Sequence, residues 1–157
     1  MLSLSGVPGI YIHSLFGSPN SHESVKKTGR VRSINREKFH FDALENKLKD
    51  KTSRTSRVFT AYTHYLKIRK EHPAFKPLAP QLILDLGDQV FTVLRTSADE
   101  REMVLCLINI TSKPVKVSIA PVVFDLSSNL TDLLTGDEYS PGGINLEQYQ
   151  VLWLKED

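Results

Sequence analysis

The sequence predicts two segments of different fold class, an α/β segment over residues 1–76 and a small antiparallel all-β domain over residues 81–157. Residues 10–16 are rich in β-branched and aromatic side chains between Gly9 and Gly17, which is typical of a strand buried on both faces. Such strands belong to parallel sheets covered by helices. Helical periodicity follows this run, and alternation of apolar and polar residues replaces it in the second segment, as expected of an antiparallel sheet with one exposed face.

Two helices are predicted in the first segment. The first begins at Asp42, which with Glu45 has the spacing of a capping box, a side-chain acceptor at the N-cap followed three residues later by a glutamate. In the second, Val58, Tyr62 and Tyr65 recur with the period of an amphipathic helix. This broad apolar face predicts packing in a core, so neither tyrosine is expected to bind a cofactor.

Residues 72–80 contain three prolines and predict a linker or rigid connection between the two segments. Beyond them, strands are predicted at residues 82–86, 90–96, 103–108, 115–119, 130–134 and 149–154. Residues 103–108 are apolar throughout, which predicts a central strand with both faces buried. Cys106 and Trp153 lie inside predicted strands and are expected in the core, where a thiol is unreactive.

Composition and charge limit the partners of the chain. The net charge of its 157 residues is only +2, so the molecule as a whole is not built to bind nucleic acid or an anionic membrane. No apolar run approaches the roughly 18 residues that span a bilayer. The single cysteine, Cys106, excludes an intramolecular disulfide and fits a reducing compartment. We expect a cytoplasmic protein without a cofactor.

The sequence carries no recognisable catalytic or metal-binding motif. Its five histidines do not have the spacing of metal ligands, and no Gly-x-Ser-x-Gly sequence that would mark a nucleophilic serine occurs. The acidic residues are scattered, with no pair that the sequence places together for glycoside chemistry. We therefore expect no catalytic residue and no metal site in this chain.

The most unusual feature is a cluster of arginines that follows Gly29. Arg30, Arg32 and Arg36 lie within seven residues, with Asn35 beside the last of them. Residues 26–38 contain six basic side chains against one acid. Guanidinium groups bind carboxylate and phosphate oxygens through two parallel hydrogen bonds. The pattern alone leaves two interpretations open, a solvated basic loop or a site for an anion or a sugar oxygen.

Several motifs resemble those of one enzyme clan. Gly6, Pro8 and Tyr11 are similar to the Gly-x-Pro-x-x-Tyr sequence at the last barrel strand of α-amylase-clan glycoside hydrolases. Residues 17–20 and 28–36 resemble the branch of sucrose, sucrose 6-phosphate and glucosylglycerate phosphorylases. Further motifs, at residues 133–136 and 149–154, look like the C-terminal β domain of that branch. The match runs nearly from end to end, and the arginine-rich motif is specific to the branch.

The resemblance implies an assignment of both segments. Enzymes of this branch are (β/α)8 barrels with retaining chemistry, and their catalytic aspartate, glutamate and second aspartate lie on strands upstream of the last one. Residues 1–76 would then be the last strand, acceptor-side loop and helices of a barrel, and residues 81–157 the C-terminal domain. The chain would need an upstream barrel portion as partner, and alone it is expected to be inactive.

The resemblance also implies the site residues. In similar phosphorylases the position of Arg32 lies near the subsite shared by phosphate and the acceptor sugar, so Arg32 is expected to bind one or the other. Arg30, Arg36 and Asn35 would strengthen the field or brace the loop. The substrates implied for the complete enzyme are an α-glucoside together with inorganic phosphate or a sugar acceptor. Residues 12–14 are more similar to the glucosylglycerate or sugar-phosphate branch than to sucrose phosphorylases.

Two other functions compete with this one. The first is a non-catalytic carbohydrate-binding or accessory β-sandwich module, although aromatic residues that could stack on sugars are not evident in the β domain. The second is a small protein that binds an anion or nucleic acid through residues 26–38, which lack the interleaved aromatic side chains that stack on bases.

Overall fold

A computed structural model describes residues 1–119 and 123–157 of the chain. Within these residues the α-helices are α1 (Ile12–Leu15), α2 (His22–Thr28), α3 (Phe41–Lys49) and α4 (Arg54–Glu71). Short 3-10 helices follow at Val31–Asn35 and Pro73–Phe75. The strands are β1 (Gln81–Asp85), β2 (Val90–Thr96), β3 (Met103–Asn109), β4 (Val115–Val117), β5 (Leu130–Asp132), β6 (Glu138–Tyr139), β7 (Ile144–Leu146) and β8 (Val151–Glu156).

The strands form two antiparallel sheets. The larger has six strands in the order β1-β2-β3-β8-β5-β6, and the smaller pairs β4 with β7. By their contacts the described residues divide into two compact units, one of Met1–Pro8 with Leu66–Asp157 and the other of Gly9–Tyr65. The predicted antiparallel domain is thus confirmed as mainly antiparallel sheet, whereas the predicted boundaries at residues 76 and 81 stay a prediction.

Strand β3 is the centre of the larger sheet, as its uninterrupted apolar sequence predicts. It pairs with β2 on one side and with β8 on the other. Val104, Leu105, Cys106 and Leu107 are all fully buried. Leu105 and Leu107 point into the main apolar core, which also contains Val90, Val117, Ile119, Phe124, Leu130, Ile144, Leu146, Leu152 and Leu154.

The opposite face of the larger sheet is built around Trp153, which is almost completely buried. Its ring centroid lies 4.5 Å from that of Phe75, and its indole N–H donates to Ser3 Oγ at 3.0 Å. On the same face, burial raises the pKa of the Cys106 thiol to about 12. Both residues are therefore core residues, as predicted, and the thiol is inert in the folded chain.

A buried guanidinium group lies on this face as well. Arg95 on β2 is fully buried, and in place of a carboxylate it is surrounded by main-chain carbonyl groups. It donates to the carbonyl oxygens of Ser3, Lys76, Ala79 and Pro80 at 3.1–3.4 Å. Because a buried cation is costly unless its donors are paired, this contact set fixes the chain segments that supply the carbonyls.

A second buried arginine also donates to main-chain carbonyl groups. Arg69, in the last turn of α4, donates to the carbonyl oxygens of Leu2 and Gly6. The guanidinium carbons of Arg69 and Arg95 each lie 5.7 Å from the ring centroid of Phe75, within the range of a cation–π contact. The two cations therefore fix residues 2–6 within the unit that contains the larger sheet.

The predicted strand at residues 10–16 is wrong. The chain forms the short helix α1 there, and the N–H groups of Ser14 and Leu15 donate to the carbonyl of Tyr11 at 3.0 Å. Tyr11 and Ile12 are about half exposed. Within the described residues no strand pairs with this segment, and the N–H groups of its second half bond to carbonyls within the segment instead of to a sheet.

Of the two predicted helices, the second agrees with the structure and the start of the first does not. Helix α4 is confirmed and ends two residues before Pro73, which cannot continue it. The predicted capping box at Asp42 is wrong, because α3 begins at Phe41 with His40 at the N-cap and no side-chain cap. Asp42 lies instead in the first helical turn, where its negative charge interacts favourably with the positive end of the helix dipole. No described helix is both long and apolar enough to cross a membrane.

Replacing Arg95 by methionine should destabilise the unit that contains the larger sheet. Arg95→Met keeps most of the apolar volume but leaves buried carbonyl groups without donors, each at a cost of about 1–3 kcal/mol. We expect a loss of at least about 3 kcal/mol in denaturant unfolding followed by Trp153 fluorescence.

The matched control is Arg101→Met, because the Arg101 side chain is 87% exposed and lies 3.9 Å from Asp99. This variant should unfold at nearly the same denaturant concentration as the parent chain, since surface ion pairs contribute little. Equal unfolding midpoints for Arg95→Met and the parent would show that the carbonyl contacts carry no stability.

Candidate functional site

The candidate site is the arginine turn, which we define as residues 30–36. Helix α2 ends at Thr28, and Gly29 adopts a left-handed conformation with φ of 66° while its N–H donates to Val25 O at 2.8 Å. Glycine is favoured in this conformation because it has no Cβ. The chain then enters the 3-10 helix Val31–Asn35, which presents the arginines.

The arginine turn is held at three consecutive residues, at Ser33 through its side chain and at Ile34 and Asn35 through their backbone carbonyls. The Ser33 hydroxyl lies 2.8 Å from Thr28 Oγ1. The carbonyl of Ile34 accepts from the N–H of Ser21 at 2.7 Å, and the carbonyl of Asn35 accepts from Tyr11 Oη at 2.8 Å. These contacts come from three different parts of the Gly9–Tyr65 unit, so the turn is braced by its surroundings and is not an isolated loop.

The guanidinium groups of this turn are exposed. Arg30, Arg32 and Arg36 form no ion pair with any carboxylate within residues 1–119 and 123–157. Lys26 and Lys27 lie in the last turn of the preceding helix and add to the positive charge. Exposed cations on a fixed backbone can take an anionic ligand without first breaking an internal ion pair.

Three of the four predicted site residues line one open depression on the surface of this unit. Arg32, Asn35 and Arg36 lie there together with Tyr11, Val31 and Ile34. Arg30 does not line the depression, although it precedes the same 3-10 helix. Sequence reasoning treated Tyr11 only as part of a motif and missed its contact with Asn35, because the two residues are 24 positions apart.

An aromatic column supports the same unit. The Tyr11 ring lies 5.3 Å from His13, and His13 stacks on Phe39 with 4.7 Å between centroids. Phe16 contacts Phe39 at 5.5 Å and stacks on Phe59 of α4 at 5.4 Å. The column therefore connects the residue that braces the arginine turn with the apolar side of the long helix.

Solved structures show the fold class. A trehalose-6-phosphate hydrolase from Bacillus licheniformis superimposes with a TM-score of 0.70 at 17% identity, covering 99% of this chain and 37% of that one. An Anoxybacillus α-amylase superimposes with a TM-score of 0.61 at 20% identity, covering 78% of this chain and 25% of that one. The fold is that of α-amylase-family enzymes. No family model matches the sequence.

Relatives in sequence identify more narrowly the class of enzyme that this chain resembles. The glucosylglycerate phosphorylase of Allomeiothermus silvanus is 41% identical over 154 residues, which are 98% of this chain and 25% of that protein. The glucosylglycerate phosphorylase of Escherichia coli K12 is 30% identical over 157 residues, 99% of this chain and 26% of that protein. The chain is thus homologous to the C-terminal portion of α-amylase-family glycoside phosphorylases, as its motifs predict, and it spans about a quarter of their length.

Two glycine substitutions should show how closely the loop after α1 packs against α4. Both Gly17 and Gly29 have positive φ, 58° and 66°. A Cβ at Gly17 would lie 2.7 Å from Val58 Cγ2, whereas a Cβ at Gly29 would meet no atom within 4 Å. Gly29→Ala should cost only the backbone strain, about 1–2 kcal/mol, and Gly17→Ala should cost at least about 1 kcal/mol more.

Amide hydrogen exchange in the Gly9–Tyr65 unit measures this difference, and Gly29→Ala is the control that matches the backbone strain. Faster exchange along the 54–65 part of α4 is expected in Gly17→Ala alone. Identical exchange in the two variants would mean that the contact with Val58 is not maintained in solution.

Proposed function

We propose that this chain supplies the part of a retaining α-glucosyl phosphorylase that binds phosphate and the acceptor. The observation that carries the proposal is the arginine turn, which hydrogen bonds to the Ser33 side chain and to the Ile34 and Asn35 carbonyls hold in place while its guanidinium groups are exposed. The homology to glucosylglycerate phosphorylases supports it further.

The chemistry of phosphorolysis explains why cations are needed at such a site. In retaining glycoside chemistry a carboxylate forms a covalent glycosyl intermediate, and a second carboxyl group lies about 5 Å away. An incoming phosphate is therefore repelled by nearby negative charge. A guanidinium group that holds two phosphate oxygens offsets this repulsion and orients the attacking oxygen.

Within the turn we assign separate roles to the predicted residues. Arg32 binds the oxyanion directly, and Arg36, which lines the same depression, is its partner. Asn35 contributes its amide as a neutral hydrogen-bonding group at the same depression. Arg30 lies outside the depression and acts through the positive field.

The names of the relatives support glycerate as the acceptor at this site. Glucosylglycerate is a glucoside of a carboxylate-bearing acceptor, so glycerate and phosphate are both small oxyanions. One arginine turn can bind either of them, since carboxylate and phosphate present similar pairs of oxygens to a guanidinium group. We infer that glycerate leaves and phosphate enters at the same cationic site.

We place the catalytic carboxylates in a barrel portion outside this chain, since the chain spans only about a quarter of the relatives' length. Residues 1–76, which carry the helices and the arginine turn, would be the end of that barrel, and residues 81–157 its C-terminal β domain. The single cysteine is reduced and buried, which supports a cytoplasmic location for the enzyme.

The 157-residue chain on its own should release no glucose 1-phosphate from glucosylglycerate or sucrose in the presence of phosphate. Joined to the barrel portion, it should give an active enzyme, because that portion brings the carboxylates required for retaining chemistry. Measurement of glucose 1-phosphate with both preparations tests this. Turnover by the chain alone would place the catalytic groups within it and contradict the assignment.

In the complete enzyme, Arg32→Ala should slow the phosphate-dependent step far more than formation of the glucosyl-enzyme. Loss of a charge-assisted contact costs roughly 1.5–3 kcal/mol, which corresponds to about one to two decades in rate. Single-turnover kinetics with and without phosphate separates the two steps.

Arg57→Ala is the matched control, since Arg57 is an exposed arginine on α4 that lies outside the turn. It should leave both steps unchanged. If Arg32→Ala slowed both steps equally, Arg32 would be a residue that supports the loop and does not bind phosphate.

A further inference from the structure

One end of the arginine turn depends on a side chain from outside the turn. The Tyr11 hydroxyl donates to the carbonyl of Asn35 at 2.8 Å, across 24 positions of sequence. Ser33 and Ile34 are held by Thr28 and Ser21, which belong to the helix and N-cap immediately before the turn. Tyr11 is the brace at the C-terminal end, next to Arg36.

The tyrosine ring is anchored by an aromatic neighbour. It lies 5.3 Å from His13, which stacks on Phe39. The side chain is nevertheless about half exposed, and it lines the depression that contains Arg32 and Arg36. The ring is thus anchored to the aromatic column while its hydroxyl reaches the backbone of the arginine turn.

From this geometry we propose that Tyr11 is a positioning residue for the oxyanion bound by Arg32 and Arg36. A phenol has a single proton to donate, and Tyr11 gives it to the Asn35 carbonyl, so its action on the ligand passes through the turn. Holding that carbonyl fixes the end of the 3-10 helix and with it the direction from which Arg36 leaves the backbone. This inference rests on the proposed function.

The hydrogen bond matters because the two cations must hold one ligand together. If the end of the turn is released, Arg32 and Arg36 no longer present their donors in a fixed relation, and binding must order the backbone as well as the side chains. The effect should fall on binding of the anion and leave the chemistry of the glucosyl group unchanged.

The test is Tyr11→Phe in the complete enzyme, a change that keeps the ring and removes only the hydroxyl. We expect the KM for inorganic phosphate to rise roughly 3- to 10-fold, the range for loss of one neutral hydrogen bond. The rate of glucosyl-enzyme formation should stay unchanged. Tyr62→Phe is the matched control, because Tyr62 is a tyrosine of α4 in the same unit that does not line the depression.

The outcomes separate this inference from the proposed function. If Arg32→Ala raises the KM for phosphate and Tyr11→Phe does not, the proposed function stands and the positioning role is wrong. If Tyr11→Phe slows formation of the glucosyl-enzyme as much as the phosphate step, the hydroxyl has only a structural role and the inference is overturned. A phosphate-dependent step that is unchanged in both rate and KM in Arg32→Ala would overturn the proposed function itself.

Discussion

The unit that contains the larger sheet depends on the need to satisfy a buried positive charge. Burial lowers the pKa of Arg95, and the neighbouring charge of Arg69 lowers it further. The charged form of Arg95 is therefore destabilised both by the loss of water and by repulsion from Arg69. Carbonyl dipoles from Ser3, Lys76, Ala79 and Pro80 offset this cost. The consequence is geometric, because carbonyl groups can surround a guanidinium group only if the segments that carry them follow one path. Residues 76–80 and the segment around Ser3 are fixed for this reason.

The parts of the fold that the sequence predicts correctly are those decided by neighbouring residues. Helix α4, which is 18 residues long, follows from the helical period of Val58, Tyr62 and Tyr65, and the buried position of β3 follows from an apolar run that has no polar face. Residues 10–16 have the composition of a buried strand, but a buried strand also needs neighbouring strands to pair with, and no described strand pairs with this segment. The backbone of α1 instead bonds to itself, and Tyr11 and Ile12 remain about half exposed.

For the candidate site, too, the sequence predicts some features and only the structure shows the others. That three arginines and an asparagine lie together is visible in the sequence, and so is their likeness to a motif of phosphorylases. What the sequence does not reveal is the bracing of the turn, since the Tyr11 hydroxyl reaches it across 24 positions and the N–H of Ser21 reaches it from the N-cap of α2. A basic loop and a pre-organised oxyanion site can have the same composition, and only the hydrogen bonds to the backbone distinguish them.

The two groups of arginines differ in how their hydrogen bonds are used, and this difference indicates which group can bind a ligand. Arg95 donates to four carbonyl oxygens, so it stabilises the fold but has little capacity left for another acceptor. Arg32 and Arg36 have exposed donors on a braced backbone. An oxyanion that binds them gains charge-assisted hydrogen bonds without displacing internal ones, and the backbone entropy has already been lost on folding. This is why we propose the exposed arginines, and not Arg95, as the ligand-binding group.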